Sequence, residues 1–152
     1  LRDVYKRQIL LRMHYLISNA LDLTGYENFA VDVSNYNDVS ELFLVSDCLI
    51  TDYSSVMFDY GILKRPQFFF AYDIDKYDKG LRGFYMDYMK DLPGPIYTEP
   101  YGLAKKLKDL DKVQDEYQDQ IDAFYDRFCS VDDGKASQYI GELIHKDIEE
   151  NK

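Results

Sequence analysis

The stretch Asp47 to Tyr60, read in its context SDCLITDYSSVMFDY, leaves a chain few ways to fold. Cys48, Leu49 and Ile50 form an apolar run with no polar break, the pattern of a strand buried on both faces. Thr51, Asp52 and Tyr53 end it. Ser54 and Ser55 then open a segment in which Val56, Met57, Tyr60 and Leu63 recur at helical spacing. The reading is strand, tight turn, helix. In such a unit the serine hydroxyls and the first-turn N–H groups converge at the carboxyl end of a parallel strand. Open α/β sheets bind ligands at that edge, and a helix start favours an anion. The turn therefore reads as a phosphate cradle. Ser54 as a plain N-cap is the alternative that the residues leave open.

Composition sets the outer bounds. With 152 residues and 46% hydrophobic content, the chain can bury one core and is too short for two full domains. A net charge of −10 disfavours nucleic acid or an anionic membrane as a direct partner, so a phosphate ligand would have to be held by local dipoles and a few cations. Two cysteines, Cys48 and Cys129, make a poor disulfide framework and fit a cytoplasmic chain. No apolar run approaches spanning length and no secretory signal pattern is present.

Taken in order, Leu1 to Gln8 (LRDVYKRQ) resembles adapter-derived sequence and is expected to be a non-native leader outside the fold, which then occupies residues 9–152. Ile9 to Leu11 begins the first strand, which ends at Arg12-Met13-His14, and a short helix is expected over Ser18 to Leu23. NFAVDVS, Asn28 to Ser34, alternates as a second strand. Asn37 or Asp38 then caps a helix through Val45 that buries Val39, Leu42 and Phe43. After Arg65-Pro66, Gln67 to Tyr72 (QFFFAY) is another apolar strand with its proline at the start. Asp73 to Gly94 is irregular, and a long ordered loop of this kind is usually functional. After Thr98 the pattern turns helical. The pattern predicts strands near 9–13, 28–33, 47–51 and 67–71 in one parallel sheet, with helices near 54–63, 100–110, 113–128 and 135–148: an α/β fold with a helical C-terminus.

The blocks LLRMH (Leu10 to His14), DVSNYNDVSELFLVSDCLITDYSSVMFDY (Asp32 to Tyr60), RP (Arg65-Pro66), AYD (Ala71 to Asp73), RGFYMDY (Arg82 to Tyr88), LPGPI (Leu92 to Ile96) and FCSVDDGKAS (Phe128 to Ser137) follow one another at compatible spacing. In that order they resemble the C-terminal part of the CDP-glycerol glycerophosphotransferase family, the teichoic-acid primases and polymerases. The resemblance covers nearly everything after Ile9. It implies a partial GT-B-type, Rossmann-like nucleotide-binding domain that holds CDP-glycerol as donor substrate, with no separate cofactor. It also implies transfer of glycerol phosphate to a polyol-phosphate or lipid-linked acceptor with release of CMP, at the inner face of the cell membrane. A further histidine motif and the acceptor- and membrane-facing portion of such enzymes are not found in this sequence, so the chain is expected to bind donor without transferring on its own.

Under that resemblance His14 is the catalytic candidate, matching the family's strand-end histidine and placed to donate charge to the pyrophosphate as CMP leaves. Arg12 shares its side of the strand. Ser54 and Ser55 take the donor phosphates, and Asp59 resembles the acid that bonds ribose hydroxyls in related sites. Asp52 either orients the turn or meets a hydroxyl. Arg82, followed by Gly83, offers a guanidinium fork to phosphate oxygens or a surface ion pair in an acidic chain. Asp132 and Asp133 beside Gly134 read as a turn and cap more readily than as a metal pair. No HExxH, CxxC or Walker pattern indicates a metal or P-loop. Two other classes compete: a receiver-like signalling module using Asp52, and a CDP-polyol binding domain without turnover. A receiver would need an acidic pair after its first strand, where Arg12-Met13-His14 stands instead.

Overall fold

A computed structural model of the chain describes residues 7–13, 22–74, 86–131 and 133–151. It divides into two compact units, Leu1–Leu44 and Val45–Lys152.

In the first unit, β1 (Ile9–Leu11) pairs in parallel with β2 (Ala30–Asp32), with Ile9 opposite Ala30. The turn that feeds β2 closes with the Tyr26 N–H on the Leu23 carbonyl at 2.8 Å, and Gly25 inside it has φ +86°, a conformation glycine adopts without penalty. Beyond the pair, Arg12 donates from Nη1 to the Tyr36 carbonyl at 2.6 Å and the Met13 N–H reaches Ser34 Oγ at 3.0 Å. Helix α1 (Val39–Val45) starts where expected, with Asp38 Oδ1 accepting from the Ser40 N–H at 2.8 Å. Its Val39, Leu42 and Phe43 are half-buried rather than buried. The short helix expected over Ser18 to Leu23 falls mostly outside the described residues.

In the second unit, β3 (Leu49–Thr51), β4 (Gln67–Phe70) and β5 (Ile96–Tyr97) form a parallel sheet in the order β3-β4-β5. The expected strands thus pair in parallel, β1 with β2 in the first unit and β3 with β4 in the second. Two points differ from the sequence reading. Ile50 in β3 is exposed, and the most buried strand is the central one of the triplet, β4, where Phe68 and Phe69 have no exposed surface. β5 is a strand the sequence did not announce; it is held by the Phe69 N–H on the Pro95 carbonyl at 3.0 Å and the Ala71 N–H on the Tyr97 carbonyl at 2.8 Å.

Helix α2 (Val56–Gly61) follows β3 and buries Met57, Tyr60 and Gly61, a 3.6-period stripe, against the core of Phe69, Ala71, Tyr88, Leu92, Phe124 and Cys129. Three residues past its end stands Lys64, a non-glycine residue at φ +51°. That left-handed conformation costs about 1–2 kcal/mol, and the surroundings hold it. Lys64 Nζ donates to Asp122 at 2.8 Å and lies 4.2 Å from the centre of the Tyr125 ring, while its carbonyl accepts from Gln114 Nε2 at 3.1 Å. The first turn back to β4 is latched at Ser46, whose carbonyl accepts from Tyr60 Oη at 3.0 Å and from Arg65 Nη1 at 2.6 Å.

The helix expected over 113–128 is three pieces: α4 (Leu110–Glu116), α5 (Gln118–Phe124) and a π-helical turn, Tyr125–Cys129, preceded in the chain by α3 (Pro100–Lys106). The wider π turn closes with the Ser130 N–H on the Tyr125 carbonyl at 2.9 Å. It brings Phe124, Phe128 and Cys129 onto α2 together: the two rings lie 5.4 and 5.3 Å from Phe58, and Cys129 Sγ donates to the Phe58 carbonyl at 3.4 Å. Helix α6 (Ala136–Glu150) begins after Gly134, at φ +77°, with Asp133 Oδ1 accepting from the Lys135 N–H. Asp133 is therefore a turn residue; Asp132 lies outside the described residues. No helix among the described residues is long and apolar enough to cross a membrane.

Candidate functional site

Parallel pairing puts the carboxyl ends of β3, β4 and β5 on one edge of the sheet, which gathers the residues after Thr51, Phe70 and Tyr97. The Asp52–Ser55 turn occupies that edge. Asp52, Ser54 and Ser55 are exposed, and the helix behind them closes its first turn with the Phe58 N–H on the Ser55 carbonyl at 3.0 Å. The Ser54 carbonyl accepts from the Met57 N–H at 3.3 Å, and Ser54 Oγ sits 3.4 Å from the Val56 nitrogen, a long cap contact. Ser55 already has helical dihedrals, φ −61° and ψ −12°, and its hydroxyl makes no cap bond. The two serines are thus unlike. Ser54 is partly spent on the helix, whereas Ser55 presents its hydroxyl outward. Asp59 is exposed on α2 one helical turn beyond Ser55, so the two share a face.

The turn is fastened from the core side by two tyrosines. Tyr88 Oη donates to the Asp52 carbonyl at 2.9 Å, and Tyr53 Oη donates to Asp73 Oδ1 at 2.9 Å. The two rings are 5.5 Å apart, and Tyr88 meets Phe69 edge-on at 6.1 Å. Burial first, and then the Asp73 carboxylate, push the Tyr53 hydroxyl well above the ordinary phenol range, so it remains a donor at any ordinary pH. Residues of TDYSS and AYD, and the Tyr88 that ends RGFYMDY, separate in sequence, meet here. Sequence reading singled out the blocks but gave Tyr53, Asp73 and Tyr88 no part.

Of the residues proposed from sequence, Asp52, Ser54, Ser55 and Asp59 fall in this one stretch. Arg12 belongs to the first unit, where its guanidinium holds the Tyr36 carbonyl. His14 and Arg82 lie outside the described residues. No group of histidine, cysteine, aspartate or glutamate side chains among the described residues is arranged to hold a metal ion.

The family profile of CDP-glycerol:poly(glycerophosphate) glycerophosphotransferase matches residues 4–146. The chain belongs to that family. Membership in the glycerophosphotransferase family sets aside the receiver-like alternative. Among curated relatives, the teichoic acid poly(glycerol phosphate) polymerase of Staphylococcus epidermidis is 90% identical over 142 residues, covering 93% of this chain and 20% of the relative. The teichoic acid glycerol-phosphate transferase of Staphylococcus aureus is 55% identical over 138 residues, 91% of this chain and 35% of the relative. A solved structure of a variant of the wall teichoic acid polymerase TagF, soaked with CDPG, superposes with a TM-score of 0.85 at 89% identity, over 95% of this chain and 36% of that one. The chain therefore spans between a fifth and about a third of the proteins it matches.

Proposed function

We propose that this chain forms the donor side of a CDP-glycerol-dependent glycerophosphotransferase of teichoic-acid synthesis, a GT-B-type nucleotide-binding domain. The observation that carries this reading is the exposed Ser54–Ser55 turn at the carboxyl edge of a parallel sheet, in a glycerophosphotransferase-family chain 89% identical to a polymerase studied with CDPG. An anion at that turn meets hydroxyls and first-turn N–H groups rather than the field of a chain with net charge −10.

In this reading Ser54 and Ser55 hold the donor phosphates, Asp59 takes ribose hydroxyls, and Asp52 shapes the turn. Arg82 supplies a guanidinium fork. A hydroxyl of the growing polyol-phosphate or lipid-linked acceptor attacks the phosphorus that carries glycerol. A new P–O bond forms, the phosphoanhydride bond to CMP breaks, CMP leaves with the electron pair, and the hydroxyl proton is released. His14 donates charge to the pyrophosphate as that bond breaks. In this reading acceptor and membrane contact belong to the parts of such enzymes that this chain does not span, and the work is done on the cytoplasmic side of the membrane.

Calorimetric titration of the chain with CDP-glycerol tests the reading, with acetyl phosphate as control and CMP release followed in the presence of a lipid-linked acceptor. Binding of CDP-glycerol alone, without CMP release, is expected. Equal responses to the two ligands, or none, would overturn it.

A further inference from the structure

The Asp52–Ser55 turn closes locally through the Phe58 N–H on the Ser55 carbonyl at 3.0 Å, but its local side-chain holds are weak. It is exposed, its helix is six residues long, and its cap contact is stretched to 3.4 Å. A turn held so loosely would have to be ordered by its ligand, at a cost to affinity. What defines it instead are two side-chain hydrogen bonds, one onto the turn from Tyr88 and one out of it from Tyr53. Tyr88, 3% exposed and wedged between Phe69 and Tyr53, directs its hydroxyl to the Asp52 carbonyl. Tyr53 directs its own away from the turn to Asp73, on the segment after β4. The second bond has an electrostatic side as well. Asp73 follows a strand that ends on the same edge as the turn, and a hydroxyl donated to its carboxylate offsets part of the charge an arriving phosphate would meet.

We infer that Tyr53 and Tyr88 are positioning residues for donor binding: they preset the Asp52–Ser55 turn, Tyr88 through the Asp52 carbonyl and Tyr53 by engaging Asp73. The inference rests on the reading that this turn receives the donor phosphates, and it adds which residues make the turn competent before the donor arrives. Tyr60 is the internal comparison. It is also a core tyrosine with its hydroxyl on a backbone carbonyl, at 3.0 Å, but that carbonyl belongs to Ser46, at the other end of the strand.

The experiment is calorimetric titration of the chain with CDP-glycerol, for wild type and for Tyr53→Phe, Tyr88→Phe, Tyr60→Phe and Ser55→Ala, each also melted without ligand. Titrations run well below every melting temperature, so that loss of stability alone does not register as loss of binding. Tyr53→Phe and Tyr88→Phe are expected to weaken binding about three- to tenfold, the size of one neutral hydrogen bond. Tyr60→Phe is expected to lower the melting temperature and leave affinity unchanged. If Ser55→Ala weakens binding while both Tyr53→Phe and Tyr88→Phe bind as wild type, the positioning role is wrong and the donor turn stands. If Tyr60→Phe weakens binding as much as they do, the effect is general loosening and the inference also falls. If none of the variants changes affinity, the donor site is elsewhere and both readings fail together.

Discussion

Gly94 passes so close to Gln67 that a Cβ on it would stand 2.0 Å from the Gln67 carbonyl oxygen. The obstacle is backbone of the central strand and cannot swing aside. Gly94 sits in the LPGPI block just before β5, so this close passage lets Pro95 and Ile96 pair with Phe69. Gly94→Ala should cost about 3 kcal/mol or more, the upper end of overpacking penalties, because the sheet must part to admit the methyl group. Denaturant unfolding of the two proteins measures it. A change under about 1 kcal/mol would show that β5 is not seated as described.

Gly61 makes a softer version of the same contact. A Cβ there would lie 2.9 Å from Phe124 Cε1 and 3.1 Å from Cys129 Sγ, both side-chain atoms. Gly61→Ala should therefore destabilise by about 1–3 kcal/mol, less than Gly94→Ala. Combined with Cys129→Ala it should cost less than the sum of the two single changes, since the pair is in contact. Strict additivity in denaturant unfolding would place α2 and the π turn further apart than they are here.

Burial holds the Tyr60 hydroxyl well above its usual pKa of 10.0; Cys48 and Asp47 add to this and Arg65 opposes it. Tyr53 is raised as well, chiefly by burial and then by Asp73. A folded-state pKa above the unfolded one means stability that is complete below about pH 10 and is lost as the pH rises further. An alkaline titration followed by phenolate absorbance and circular dichroism tests this. The Tyr53 and Tyr60 signal should appear only as circular dichroism is lost. All tyrosines ionising in one step, with the fold intact, would contradict the burial described.

The strand–turn–helix from Leu49 to Gly61 was readable because its signals are local: an unbroken apolar run, two serines, and a 3.6-period stripe through Met57 and Tyr60. The helix start at Asp38 was equally local. What could not be read depends on partners far along the chain. β5 has two residues and no pattern of its own, and it exists because Phe69 and Ala71 offer N–H groups to Pro95 and Tyr97. The break of the 113–128 helix into a π turn answers to packing on Phe58. Ile50 sits in an unbroken apolar run and is nonetheless exposed, which no local pattern tells. At the site, Ser54, Ser55, Asp52 and Asp59 lie in one legible stretch. The tyrosines beneath them bond across 20 and 36 residues, a distance at which no periodicity speaks.

The central claim is that the serine turn binds the donor, and the two serines separate binding from capping. Ser55 makes no cap bond, so Ser55→Ala should leave the melting temperature nearly unchanged. It should weaken CDP-glycerol binding by about ten- to a hundredfold, the loss of a charge-assisted hydrogen bond of about 1.5–3 kcal/mol. Ser54→Ala, which also removes the long contact to Val56, should lower stability by about 0.5 kcal/mol as well. Titration calorimetry of Ser55→Ala against CDP-glycerol is the direct measurement: a fall in affinity with an unchanged melt supports the account, and wild-type affinity contradicts it.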